Sequence, residues 1–181
     1  MKNINFDTKK NIEAIFPTYL QEDIFPEPEN IYDEAPIPNH NYLVFSVSIY
    51  DHFLTQDEDW YHPTYSWLPA NIRENLNEER WNEYVIDECK FILFYNKLYS
   101  KDVYMLSSNN QLVKFDSIEE FESYSIQDIR EVNSQTYIIP SLGVLITGNF
   151  EFTHIVHASK EYYKKDEFEK IVKDSGLYIL K

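Results

Sequence analysis

Thr136-Tyr-Ile-Ile-Pro140-Ser-Leu-Gly143-Val-Leu-Ile-Thr147-Gly-Asn-Phe150-Glu-Phe-Thr-His154-Ile-Val-His157 is the stretch whose reading decides the fold. Its β-branched and aromatic residues fall into three runs: Thr136 to Ile139, Val144 to Thr147 and Phe150 to His157. Each run reads as a strand. Pro140 and Gly143 break the chain between the first two, and Gly148-Asn149 links the last two tightly. Strands joined by such short links pair antiparallel. Working outward, Ser159 is expected to cap a helix to about Asp174, with Tyr163, Phe168, Ile171 and Val172 on its inner face. Gly176 ends it, and Leu177 to Leu180 forms a last strand. On the other side, Val103 to Leu106 and Gln111 to Phe115 read as strands around Ser107-Ser-Asn-Asn110. Ser117-Ile-Glu-Glu120 matches a capping box, and the short helix it opens turns Phe121 inward.

The first half is less regular. Short helices are expected over Thr8 to Ile15 and Thr18 to Phe25. Pro26, Pro28, Pro36 and Pro38 then stand among acids, as in an extended linker. Residues 1–38 are therefore set apart from a single domain over 39–181. In residues 42–50 the alternation puts Leu43, Phe45, Val47 and Ile49 on one face, so this is a half-buried strand. Thr55 to Pro69 is aromatic and acidic without a period, and reads as a long loop. Pro69 suits the first turn of a helix to Leu76. Asn77 can cap the next one, where Trp81, Tyr84, Val85, Cys89 and Ile92 recur at helical spacing. Phe91 to Tyr95 either finishes that helix or begins a strand. Helices and strands are mixed without the strict alternation of a parallel sheet. The fold class is α+β, a mostly antiparallel sheet with helices packed on a face.

Charge is distributed unevenly. The 181 residues carry 16 Lys+Arg against 31 Asp+Glu, a formal net charge of −15. From Asn11 to Ile72 there is no Lys or Arg, while the same stretch holds Glu13, Glu22, Asp23, Glu27, Glu29, Asp33, Glu34, Asp51, Asp57, Glu58 and Asp59. Such a chain is a poor ligand for phosphate backbones, so no direct nucleic-acid binding is expected. With 15 Tyr, 12 Phe and 3 Trp it has too many rings to be a disordered acidic tail. Three Gly are too few for a phosphate-cradling loop or a dinucleotide fingerprint. The single Cys89 excludes an internal disulfide, and no apolar run approaches the ~20 residues of a membrane span. A cytoplasmic protein is the simplest expectation, with no membrane contact.

No residue pattern announces catalysis, and neither catalytic residues nor a cofactor is expected. His154 and His157 are three apart, so on a strand they face opposite ways and cannot share a metal. Asp57, Asp59 and His62 lack the glycine turn of a calcium loop, and no metal is expected there. Cys89, on the apolar side of its helix and beside Glu88, reads as structural. A carboxylate pair for hydrolysis leaves no local motif and stays open as an alternative. What remains is acid combined with aromatic. Trp and Tyr are common interface anchors, and charge complementarity speeds encounter with a cationic partner. Asp57, Glu58, Asp59, Trp60, Tyr61 and Trp67, with Glu79 and Glu83, are the candidate partner-binding residues. A solvated acidic surface that keeps the protein soluble accounts for the charge as simply.

The second half resembles the immunity proteins of bacterial polymorphic-toxin and contact-dependent growth inhibition systems. The likeness lies in Leu112-Val-Lys-Phe115-Asp116-Ser-Ile-Glu-Glu-Phe121, in Tyr137-Ile-Ile-Pro140-Ser-Leu-Gly143-Val-Leu, and in the closing helix with Leu177-Tyr-Ile-Leu180. Such proteins share no catalytic motif. The resemblance implies a non-enzymatic protein that binds and blocks a cognate toxin domain, most often a basic nuclease, with a ribonuclease first in line. Carboxylates would stand where substrate phosphates sit. The alternatives are an acidic nucleic-acid mimic that occupies DNA-binding proteins, and a small hydrolase with an unrecognised carboxylate pair.

Overall fold

A computed structural model describes residues 1–17, 41–53, 78–107, 111–148 and 152–181. In chain order these form β1 (Lys2–Asn3), α1 (Phe6–Ile15), β2 (Tyr42–Ser48), α2 (Glu78–Tyr99), β3 (Tyr104–Leu106) and β4 (Leu112–Lys114). Then come α3 (Ile118–Ile129), β5 (Thr136–Ile139), a 3-10 turn (Pro140–Leu142), β6 (Val144–Thr147), β7 (Thr153–Ser159), α4 (Lys165–Lys173) and β8 (Tyr178–Leu180). The class is α+β. The strands make one eight-stranded sheet in the order β1-β4-β3-β5-β6-β7-β2-β8, antiparallel at every pairing. The deciding stretch is its centre, a β5-β6-β7 meander with Ile138 opposite Leu145 and Leu145 opposite His157.

Alternation along these strands sends side chains to two covered faces, because consecutive residues point opposite ways. Val47, Tyr137, Ile139, Val144, Ile146 and Val156 face α2, α3 and α4 and are fully buried there with Phe91, Phe94, Tyr95, Phe121 and Phe168. Tyr104, Leu112, Ile138 and Leu145 face the other way and pack with Ile12 and Phe16 at α1. The Phe16 ring stacks on Tyr42, with centroids 6.1 Å apart. Residues 1–17, set apart from the body on the sequence, are therefore part of it. Their apolar pair Ile12 and Phe16 covers the second face, and β1 extends the sheet beside β4. The boundary expected at residue 38 lies outside the described residues. Strand β2 is consequently buried on both sides over most of its length rather than half-buried.

Several local readings shift. Helix α2 runs unbroken through Phe91 to Tyr99. Its inward stripe is Tyr84, Glu88, Phe91, Tyr95 and Leu98, all buried, while Cys89 is exposed. Cys89 is one residue, about 100° of helix, away from the stripe, so its expected apolar setting is wrong. Buried Glu88 hides the period: Arg130 on α3 holds it with two hydrogen bonds, Nε to Oε1 at 2.5 Å and Nη2 to Oε2 at 2.9 Å. Ser117 does cap α3, accepting from the Glu120 amide at 3.2 Å. The reciprocal half of the box is displaced, since Glu120 Oε2 accepts from Asp116 N at 2.8 Å instead. Helix α4 starts at Lys165, not after Ser159. Its N-cap is Lys164, which offers no side-chain oxygen, and Ser159 remains in β7.

Candidate functional site

Two places hold polar groups out of the ordinary. The first lies inside the main core, where α2, α3 and β7 meet. Tyr95 donates its hydroxyl to Asp128 Oδ2 at 3.1 Å, and the Tyr95 hydroxyl oxygen itself lies 2.6 Å from His154 Nδ1. Asp128 Oδ1 accepts from the Gln135 amide at 2.9 Å. All three side chains are sealed from solvent. Burial pushes the Asp128 carboxyl up to about 7, against the backbone amide and the Tyr95 hydroxyl, which favour its ionised form. Burial also pushes the His154 imidazole down to about 3, so it is neutral. The relay has two proton arrangements. With Asp128 ionised, Tyr95 donates to the carboxylate and accepts from His154 Nδ1–H. With Asp128 protonated, both bonds reverse, and the histidine proton moves to Nε2. His154 Nε2 is buried and has no hydrogen-bond partner in either case.

A raised carboxyl is one mark of an acid–base enzyme, but such a group works only where substrate can touch it. Asp128, Tyr95 and His154 have no exposed surface to offer. A shallow groove along α3, lined by Glu119, Glu122, Ser123, Ile126 and Gln127, includes no member of the relay. The arrangement suits specification of the core, since Tyr95 and His154 also join the ring cluster, with the Phe91 ring tilted 31° to the His154 ring at a centroid distance of 4.5 Å. His157 lies on the opposite sheet face from His154, as the odd spacing requires. It too is buried and pushed down, to about 4. Among the described residues no group of three His, Cys, Asp or Glu side chains could hold a metal.

The second place is the outer side of α2. Glu78, Glu79 and Glu83 are exposed at its N-terminal end and make no ion pair among the described residues. Elsewhere the described acids mostly hold a cation: Asp87 with Lys90, Asp102 with Lys114, Asp116 with Lys2, Glu167 with Lys101 and Asp174 with Lys170. The helix dipole accounts for Glu78 and Glu79 in the first turn. Glu83 lies beyond that turn. Of the expected partner-binding residues, Glu79 and Glu83 thus stand on one exposed helical end. Asp57, Glu58, Asp59, Trp60, Tyr61 and Trp67 fall outside the described residues, as do the expected helices over 18–25 and 69–76.

No protein-family model, no curated protein and no solved structure matches this chain. The site therefore rests on its own geometry. No helix of the described residues is long and apolar enough to cross a membrane. Trp81, expected to face inward, is half-buried and stacks on Tyr84 with ring centroids 5.6 Å apart. Sequence reasoning missed the relay, whose members are 33 residues apart between Tyr95 and Asp128 and 59 between Tyr95 and His154. No spacing rule covers such separations. The one available signal was an ionisable Asp among otherwise uncharged inward positions, Phe121, Ser125, Asp128 and Ile129.

Proposed function

We propose that this protein binds and blocks a basic protein partner, in the manner of an immunity protein that neutralises a toxin domain, with a ribonuclease as the first expectation. The observation that carries the reading is the set of exposed carboxylates at the start of α2, Glu78, Glu79 and Glu83, which hold no ion pair among the described residues, on a chain of net charge −15. Carboxylates without their own cations repel one another, and a cationic surface relieves that repulsion on docking. The mechanism is occlusion. The partner's Lys, Arg and His side chains pair with carboxylates in place of substrate phosphates, and no chemistry is needed from this chain. The nucleic-acid mimic uses the same charge and differs in its targets, which would be several unrelated DNA-binding proteins.

The test is expression of the C-terminal domain encoded immediately upstream, with and without this protein, while growth and RNA integrity are followed. Arrest of growth relieved by this protein is the expected result, and degraded RNA during arrest names a ribonuclease. A harmless neighbour, or arrest that persists, overturns the reading.

A further inference from the structure

Resting on that reading, we infer that the docking surface is the outer ridge of α2, and that its occupant is a basic protein surface that brings an apolar residue between its cations. The ridge follows from helix geometry. Glu79, Ile86 and Leu93 are seven residues apart, nearly two turns each, so they fall in one line down the helix. That line is opposite the buried Tyr84, Phe91, Tyr95 and Leu98. Ile86 is 61% exposed and Leu93 45% exposed, with exposed Cys89 between them. Single exposed aliphatic residues are normal on a protein surface. Two in line, on the helix flanked by both α3 and α4, form a ridge that the other described elements leave uncovered.

Charge complementarity names the occupant. At the head of the ridge stand Glu79 and Glu83, with Glu78 beside them. The lysines of α2 are committed elsewhere. Lys90 holds Asp87 at 2.7 Å, and Lys97 donates to the Asp174 carbonyl at 2.6 Å. A partner that places Lys or Arg at the head of the helix and a Leu, Ile or Phe on the Ile86–Leu93 line satisfies both halves. An anionic lipid or nucleic-acid surface is repelled by the same acids. The apolar contact supplies desolvated area at the centre, and the charges steer approach from the rim.

Cys89, the one cysteine of the chain, sits on this ridge and reports on it directly. The experiment measures its alkylation by N-ethylmaleimide in the intact protein, with and without a synthetic amphipathic lysine–leucine helix as the probe. A glutamate–leucine helix of the same length is the control. At a probe concentration about ten times its dissociation constant, alkylation should slow about tenfold, because only the free fraction reacts. High salt should restore the rate, and the acidic helix should not protect. The paired variants Glu79→Lys/Glu83→Lys and Ile86→Ser/Leu93→Ser, all at exposed positions, should each lose protection while keeping the thermal stability of the parent. An unprotected Cys89 under bound or unbound probe, equal protection by the acidic helix, or protection that survives both variants overturns the ridge. The same two variants in the growth assay separate this inference from the broader one. Full rescue by both leaves an inhibitor that docks elsewhere, whereas a harmless neighbour removes the inhibitor and leaves the Cys89 result standing.

Discussion

Gly148 shows how tightly one residue can be specified by a distant one. A Cβ placed there would run into the Asp128 carboxylate. That carboxylate cannot swing away, because the Gln135 amide and the Tyr95 hydroxyl hold its two oxygens in the sealed core. Gly148→Ala should therefore destabilise the fold by about 2 kcal/mol, as overpacking does, although alanine is ordinarily the better residue outside a turn. Urea denaturation checks it, and a variant as stable as the parent would show that the relay yields easily. Tyr95→Phe probes the relay from the other end. It removes the bridging oxygen and leaves Asp128 Oδ2 and His154 Nδ1 buried and unpaired, 3.8 Å apart. A loss of about 1–3 kcal/mol is expected by the same measurement. A neutral result would mean that the two groups close on one another without the tyrosine.

At the scale of elements, α4 carries a correctable defect. Its N-cap Lys164 stands outside the helical region, at φ −88° and ψ 70°, and makes no side-chain hydrogen bond to the first-turn amides. Lys164→Ser supplies the missing acceptor and should stabilise the protein by about 0.5–1 kcal/mol, read as a higher urea midpoint at unchanged slope. The elements also show what a sequence can and cannot disclose. The β5-β6-β7 meander was legible because turn residues punctuate uniform β-formers, and α1 was legible from Thr8 to Ile15 within two residues of its observed start. The phase of α2 was not. A Glu at an inward position and a Cys at an outward one invert the usual hydrophobic pattern, and only the Glu88–Arg130 pair, 42 residues apart, explains the inversion. Once Cys89 turns outward, the seven-residue line of Glu79, Ile86 and Leu93 becomes readable. Of the candidate site, Glu79 and Glu83 were legible as acids near the start of a helix, and both are exposed there, whereas the Ile86–Leu93 line was not legible until the phase of α2 was known.

For the whole molecule, stability against pH is set by groups buried on both faces of the sheet, and they act in opposite directions. The Asp128 carboxyl stands at about 7 in the fold, above its ordinary value. Its contribution is fully present in acid and is lost as pH rises through about 7. His154 and His157 stand at about 3 and about 4, below their ordinary value. Their contributions are present above about pH 6.5 and are lost as pH falls through those lower values. Between about pH 4.5 and 6, the folded state holds one extra proton, on Asp128, and the unfolded state holds two, on the histidines. One proton remains in favour of the unfolded state, so stability rises with pH across this window, and the carboxyl cancels half of the histidine slope. Asp128→Asn removes that cancellation. The variant should gain steepness equal to one proton, about 1.4 kcal/mol per pH unit over the parent, whatever its absolute stability. Surface carboxylates held down by hydrogen bonds, such as Asp116, Glu119 and Glu120, contribute alike to both proteins and drop out of the difference. Urea midpoints for parent and variant at three pH values in the window measure the two slopes. Parallel slopes would mean that Asp128 is ionised in the fold throughout, with Tyr95 donating to it permanently and the relay fixed in one of its two arrangements.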